Sequence, residues 1–127
     1  MAHYIFDDIH RMGKPYVYIH PYKQQAVRHM VDNLPSGYPW VDYAIVFGSA
    51  VSPSCHYGSD IDICLVGKTA EDFNSQRLRD KSHAYDFILV DSKQDLVEKS
   101  ENDFCSVYRD IWEEGVVVYA KGRDLAG

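Results

Sequence analysis

Two short apolar runs, Val41–Phe47 and Asp60–Val66, stand about a dozen residues apart, and nothing between them has the length or spacing of a full helix. A parallel crossover normally needs a packed helix, so the two runs are expected to pair antiparallel. Side chains alternate across a strand. Val41, Tyr43, Ile45 and Phe47 therefore share one face of the first run. In the second, Ile61, Ile63 and Leu65 face one way and Asp60, Asp62 and Cys64 the other. The connection is rich in small residues, holds Pro53 and Gly58, and reads as a loop or a short helical turn.

The flanking segments supply the other elements. Tyr16–Ile19 reads as a small edge strand. Pro21 suits a first helical turn. After it Tyr22, Ala26, Met30 and Leu34 recur at helical spacing, with Val27 and Val31 beside them, and the helix should stop before Pro35. Thr69 with Asp72 resembles a capping box and predicts a polar helix to about Lys81. Ala84–Val90 reads as a third strand, and Ser92 with Asp95 caps a short helix. Phe104, Val107, Tyr108, Ile111 and Trp112 form an apolar stripe on a later helix that Gly115 stops. Val116–Tyr119 is a last strand. This order predicts an α+β domain, a small mixed or antiparallel sheet with helices on one face. Residues 1–21 read as an N-terminal arm or edge strand, 22–120 as the domain, and 121–127 as a frayed tail.

The chain has 127 residues, 46% apolar, enough for one core. A formal charge of −6 argues against a general nucleic-acid binder, which needs a basic face. It leaves room for a site that meets phosphates through a bound cation. Cys55, Cys64 and Cys105 are odd in number and form no CxxC pair, which argues against a disulfide scaffold or structural zinc and fits reduced thiols in a cytoplasm. The N-terminus carries Asp7 and Asp8 and no apolar core of a signal peptide, and no stretch reaches membrane-spanning length. A homo-oligomer stays open.

Asp60 and Asp62 leave the same strand face roughly 6–7 Å apart. Like charges that close repel unless a cation lies between them, and a hard ion such as Mg²⁺ takes oxygen ligands. Asp86, in the apolar run HAYDFILV, is a third candidate, because an ionised carboxylate there is costly unless paired or bound to metal. Three strand carboxylates around one or two metal ions suit phosphoryl or nucleotidyl transfer. Gly48 allows close backbone approach to a phosphate, and Ser49 adds a hydroxyl and a backbone N–H. The bland alternatives are a solvated strand end for Asp60 and Asp62, a salt-bridged Asp86 and an N-cap role for Ser49. His56 and Tyr57 read first as loop residues, and the stripe with Tyr108 and Trp112 as core.

Gly48-Ser49, ten residues, then Asp60-Ile61-Asp62 resembles the motif of the minimal nucleotidyltransferases of the DNA polymerase β-like superfamily. Asp86 matches that family's third carboxylate, and WEEGVVVYA, residues 112–120, is similar to its ending of helix, Glu-Gly and valine-rich strand. The resemblance covers about 22–120. It implies Mg²⁺- or Mn²⁺-dependent transfer of a nucleoside monophosphate, AMP from ATP, to an acceptor hydroxyl. Asp60, Asp62 and Asp86 would be metal-binding and catalytic, and Gly48 and Ser49 would hold the phosphates. It also implies a partner, since such proteins often act as antitoxins beside a helical HEPN-family toxin. Two alternatives stand beside this: a toxin-binding module without catalysis, and a small-molecule (antibiotic) nucleotidyltransferase, a class that generally carries a further helical domain. One departure is plain: many relatives carry Arg soon after the Gly-Ser pair, where this chain has Ala50, Val51 and Ser52.

Overall fold

The structure, a computed structural model, describes residues 18–52, 55–56, 58–69, 72–102 and 107–122. Most of the expected arm and edge strand, Tyr57, Phe104, Cys105 and all but the start of the expected tail lie outside the described residues.

Helix α1 covers Pro21–Gly37, with Pro21 at its first turn and Tyr22 N–H donating to Nδ1 of His20 at 3.2 Å. It does not stop before Pro35 but includes it, because a proline in the last turn forfeits little and Tyr38 N–H still closes on Leu34 O at 2.9 Å. Its buried stripe is Lys23, Ala26, Val27, Met30 and Leu34. Tyr22, expected on that stripe, is 52% exposed, and Lys23 takes the inward position. Lys23 follows the i, i+4, i+7 row of Val27 and Met30, and its Nζ meets Nδ1 of His83 at 3.2 Å.

Strands β1 (Tyr43–Phe47), β2 (Ile61–Val66), β3 (Tyr85–Val90) and β4 (Val116–Ala120) form one mixed sheet in the order β3-β2-β1-β4. β1 pairs antiparallel with both β2 and β4, while β2 and β3 run parallel. Helices α2 (Lys93–Asn102) and α3 (Val107–Glu114) precede β4. Ser92 Oγ accepts from Asp95 N at 3.1 Å and opens α2 as its capping residues lead one to expect. Gly115 ends α3 where a β-carbon would run into Ile111 O and a methyl of Ile45.

The α+β class and the mixed sheet are those the sequence predicts, but the helices cover both faces instead of one. Ala44, Val46, Ile61, Ile63, Leu65, Val116 and Val118 pack with α1. Ile45, Phe47, Cys64, Val66 and Val117 pack with Leu96 of α2 and Ile111 of α3. Strands apolar on both sides need cover on both.

The polar helix expected from Thr69 to Lys81 is absent among the described residues; only a 3₁₀ turn, Gln76–Leu78, forms. Tertiary partners hold the backbone differently. Tyr38 donates its hydroxyl to Asn74 O, Arg79 bonds Ser75 Oγ and Tyr85 O, and Asp80 N donates to the Tyr85 hydroxyl.

Candidate active site

β1 ends in a 3₁₀ turn, Gly48–Val51, that starts with a left-handed Gly48 at φ +72°. The turn is anchored on both sides: Ser52 N–H donates to Ser49 O at 3.0 Å, and His20 N–H at the foot of α1 donates to Ala50 O at 2.8 Å. A side chain at Gly48 has no room, because its β-carbon would run into Oδ2 of Asp62. The backbone of the turn and that carboxylate thus lie against each other without an intervening group.

The strand register places the acids. Phe47, the last residue of β1, pairs with Asp62, and Asp62 pairs in turn with Asp86 across the parallel β2–β3 ladder. Neighbouring strands lie about 4.8 Å apart, so Asp62 and Asp86 stand side by side, on the face that also carries Cys64 and Ile88. Asp60 is exposed just before β2, and its carbonyl accepts a long hydrogen bond of 3.4 Å from Ser49 Oγ. Asp86 is exposed and Asp62 half-buried. Burial first, then the charges of Asp86 and Asp60, push the Asp62 carboxyl above the usual carboxylate range. All five residues singled out from the sequence therefore meet at one end of the sheet.

A carboxylate whose proton affinity is raised by burial and by two neighbouring carboxylates belongs to a donor set that a hard divalent ion relieves. The set is open rather than closed: among the described residues no three His, Cys, Asp or Glu side chains form a ready metal-holding group. The residues present fit such an ion in chemistry, with Asp62 and Asp86 the adjacent pair. Cys64 lies deeper on the same face, where burial pushes its thiol up to about 12.

The sequence reading missed the contact of Lys23, on the inward stripe of α1, with His83 just before β3, on the sheet face opposite Asp62 and Asp86. Burial, then the nearby Lys23 charge, lowers the His83 pKa. Their signal was Lys23 itself, a cation in register with a buried helical stripe. His56 is exposed in the loop, its backbone N–H held by Ser59 Oγ at 3.1 Å.

A mixed sheet whose glycine turn closes on the acid-bearing strand defines a nucleotidyltransferase-type domain. Residues 31–124 match the family model described as "Polymerase beta, Nucleotidyltransferase", and the chain belongs to that family. No curated protein matches the chain. Among the described residues no helix is long and apolar enough to cross a membrane.

Proposed function

We propose that the chain moves AMP from ATP to a hydroxyl of a partner protein, as a metal-dependent minimal nucleotidyltransferase whose working unit is residues 22–120. The observation that carries this reading is the abutment of Gly48 on Asp62, itself in register with Asp86. Asp60, Asp62 and Asp86 would hold Mg²⁺ or Mn²⁺, which when bound neutralises phosphate charge and makes a nearby hydroxyl more acidic. The Gly48 backbone lets the β- and γ-phosphates approach closely, and the Ser49 hydroxyl donates to them. The acceptor oxygen bonds to the α-phosphorus, the bond to the bridging oxygen breaks and pyrophosphate leaves, while the acceptor's proton passes to the Asp86 carboxylate.

A partner protein is the favoured acceptor because Asp60 and Asp86 are exposed, and small acceptors are usually enclosed. A partner surface brings its own wall. Following the family resemblance, that partner would be a helical HEPN-type toxin and this chain its cytoplasmic antitoxin. A second reading, a toxin-binding module without catalysis, is favoured by Ala50, Val51 and Ser52, where many relatives carry an Arg and this chain offers none.

The test uses ATP labelled at the α-phosphate with Mg²⁺, the product of the adjacent gene and a panel of hydroxylated antibiotics. Label on the partner protein, lost in Asp60→Asn, supports the reading. Partner binding without label favours the second reading, and label on an antibiotic overturns the choice of acceptor.

A further inference from the structure

The far end of the sheet holds a cleft with no part in the chemistry above. It lies between the end of α1, the approach to β1 and the chain that leaves β2, with a volume of about 620 Å³. That falls within the range of roughly 300–1,000 Å³ typical of small-molecule sites. The length of β1, roughly 15 Å, separates it from Gly48.

Its walls are aromatic and fixed. Phe73 meets Trp40 edge-on with ring centroids 6.0 Å apart, meets Tyr38 at 5.9 Å and is backed by Phe87 at 5.5 Å. The Trp40 backbone is itself pinned, because Gly67 passes so close that a β-carbon there would strike Trp40 O. Tyr38 donates its hydroxyl to Asn74 O.

Its rim is charged. Lys68, Arg77 and Asp72 all line the cleft, and among the described residues none of the three has a hydrogen bond or ion pair. Among the described lining residues, two cations stand against one carboxylate. The Arg77 side chain lies over Gly37, its Nη1 2.8 Å from where a β-carbon on that glycine would stand. A planar guanidinium can take a carboxylate or phosphate through two hydrogen bonds.

We propose that this cleft is a second, preformed binding site for a small flat aromatic anion, with the aromatic body against Trp40 and Phe73 and the anionic group on Arg77 and Lys68. Stacking on fixed rings and a charge-assisted contact are the two attractions the lining offers, and a flat anion uses both. The proposal stands independently of nucleotidyl transfer.

The test is a titration of the ¹⁵N-labelled full chain, without Mg²⁺ or ATP, followed at the indole N–H signals of its 2 tryptophans, Trp40 and Trp112. The probes are 2-naphthoate, its neutral counterpart 2-naphthalenemethanol, and AMP. The Trp40 signal should shift saturably with 2-naphthoate or AMP at a half-saturation below about 1 mM, while that of Trp112, packed beyond the other face, stays. The tighter of the two anions says whether the natural ligand is an aromatic carboxylate or a nucleotide. The neutral probe, and the Lys68→Ala/Arg77→Ala variant toward the anions, should bind at least about tenfold more weakly. No saturable shift with either anion overturns the proposal. So does a neutral probe that binds as tightly as 2-naphthoate, a comparison made on the unaltered protein.

Discussion

Gly48 and Asp62 face each other across the β1–β2 corner with no room for a single further carbon between the glycine and Oδ2 of the carboxylate. Since Gly48 also holds φ at +72°, Gly48→Ala combines a left-handed non-glycine residue with a displaced Asp62. A loss of about 1–2 kcal/mol is expected in urea unfolding, with the protein still folded. Asp62→Ala should recover part of that loss, so a double-mutant cycle shows coupling. Strict additivity would mean that the two residues do not meet in solution. Weaker ATP binding in Gly48→Ala is the functional counterpart.

The raised pKa of Asp62 has a signed consequence. A carboxyl that holds its proton more tightly when folded destabilises the native state at every pH where it is charged. Stability from this group is full below its unfolded pKa and falls as pH rises through its higher folded value. Asp62→Asn should therefore be more stable than the parent at pH 7, by on the order of 0.5–1 kcal/mol after solvent screening, with the gain shrinking as pH falls and gone by about pH 3, below the unfolded pKa. Thermal melts across that range measure it, and an asparagine variant less stable at pH 7 would assign Asp62 a stabilising partner instead.

Mg²⁺ with ATP should raise the melting temperature, because a ligand that binds only the folded chain stabilises it by mass action. Asp60→Asn combined with Asp62→Asn should abolish the shift. A full response in that double variant would place the ion elsewhere.

Tyr85 ties three segments together. Its hydroxyl donates to Ala26 O of α1 at 3.0 Å and accepts from Asp80 N at 3.0 Å, and burial first raises its pKa to about 12. Tyr85→Phe removes both bonds and leaves a part-buried N–H without its partner, at a cost of about 1–2 kcal/mol. Chemical denaturation gives the value. A neutral substitution would show that water replaces the hydroxyl freely.

Cys64 should resist alkylation in the native protein. With a thiol pKa of about 12, its thiolate fraction at pH 8 is ~10⁻⁴. Peptide mapping after iodoacetamide treatment should find Cys64 unmodified until denaturant is added. Rapid native labelling would mean that the face carrying the acids opens readily.

The strands and the acids were legible because alternation is local. Ile61, Ile63 and Leu65 against Asp62 and Cys64 fix the face of β2 whatever packs on it, and the same holds for Asp86 in its run. The polar helix over 69–81 was misread because its capping signal lost to partners distant in sequence, Tyr38 and Tyr85. Cover on both sheet faces was implicit in the near-unbroken apolar stretch 63–66, yet a short apolar run does not say which elements will cover it. The inward turn of Lys23 and the convergence of Trp40, Phe73 and Arg77 depend on how separate segments meet in space, which no window of the sequence displays.

Gly48 follows β1, Asp62 lies on β2 and Asp86 on β3, and the last two meet only through a parallel ladder. Parallel pairing needs a long connection to close before it is rewarded, here the mostly irregular chain from Gly67 to Ala84. A chain that has zipped only β1 to β2 owns the glycine turn and two acids but not the third. Occupancy of this corner by a ligand that needs all three therefore reports completed assembly: a nascent or partly unfolded copy has no such corner to offer.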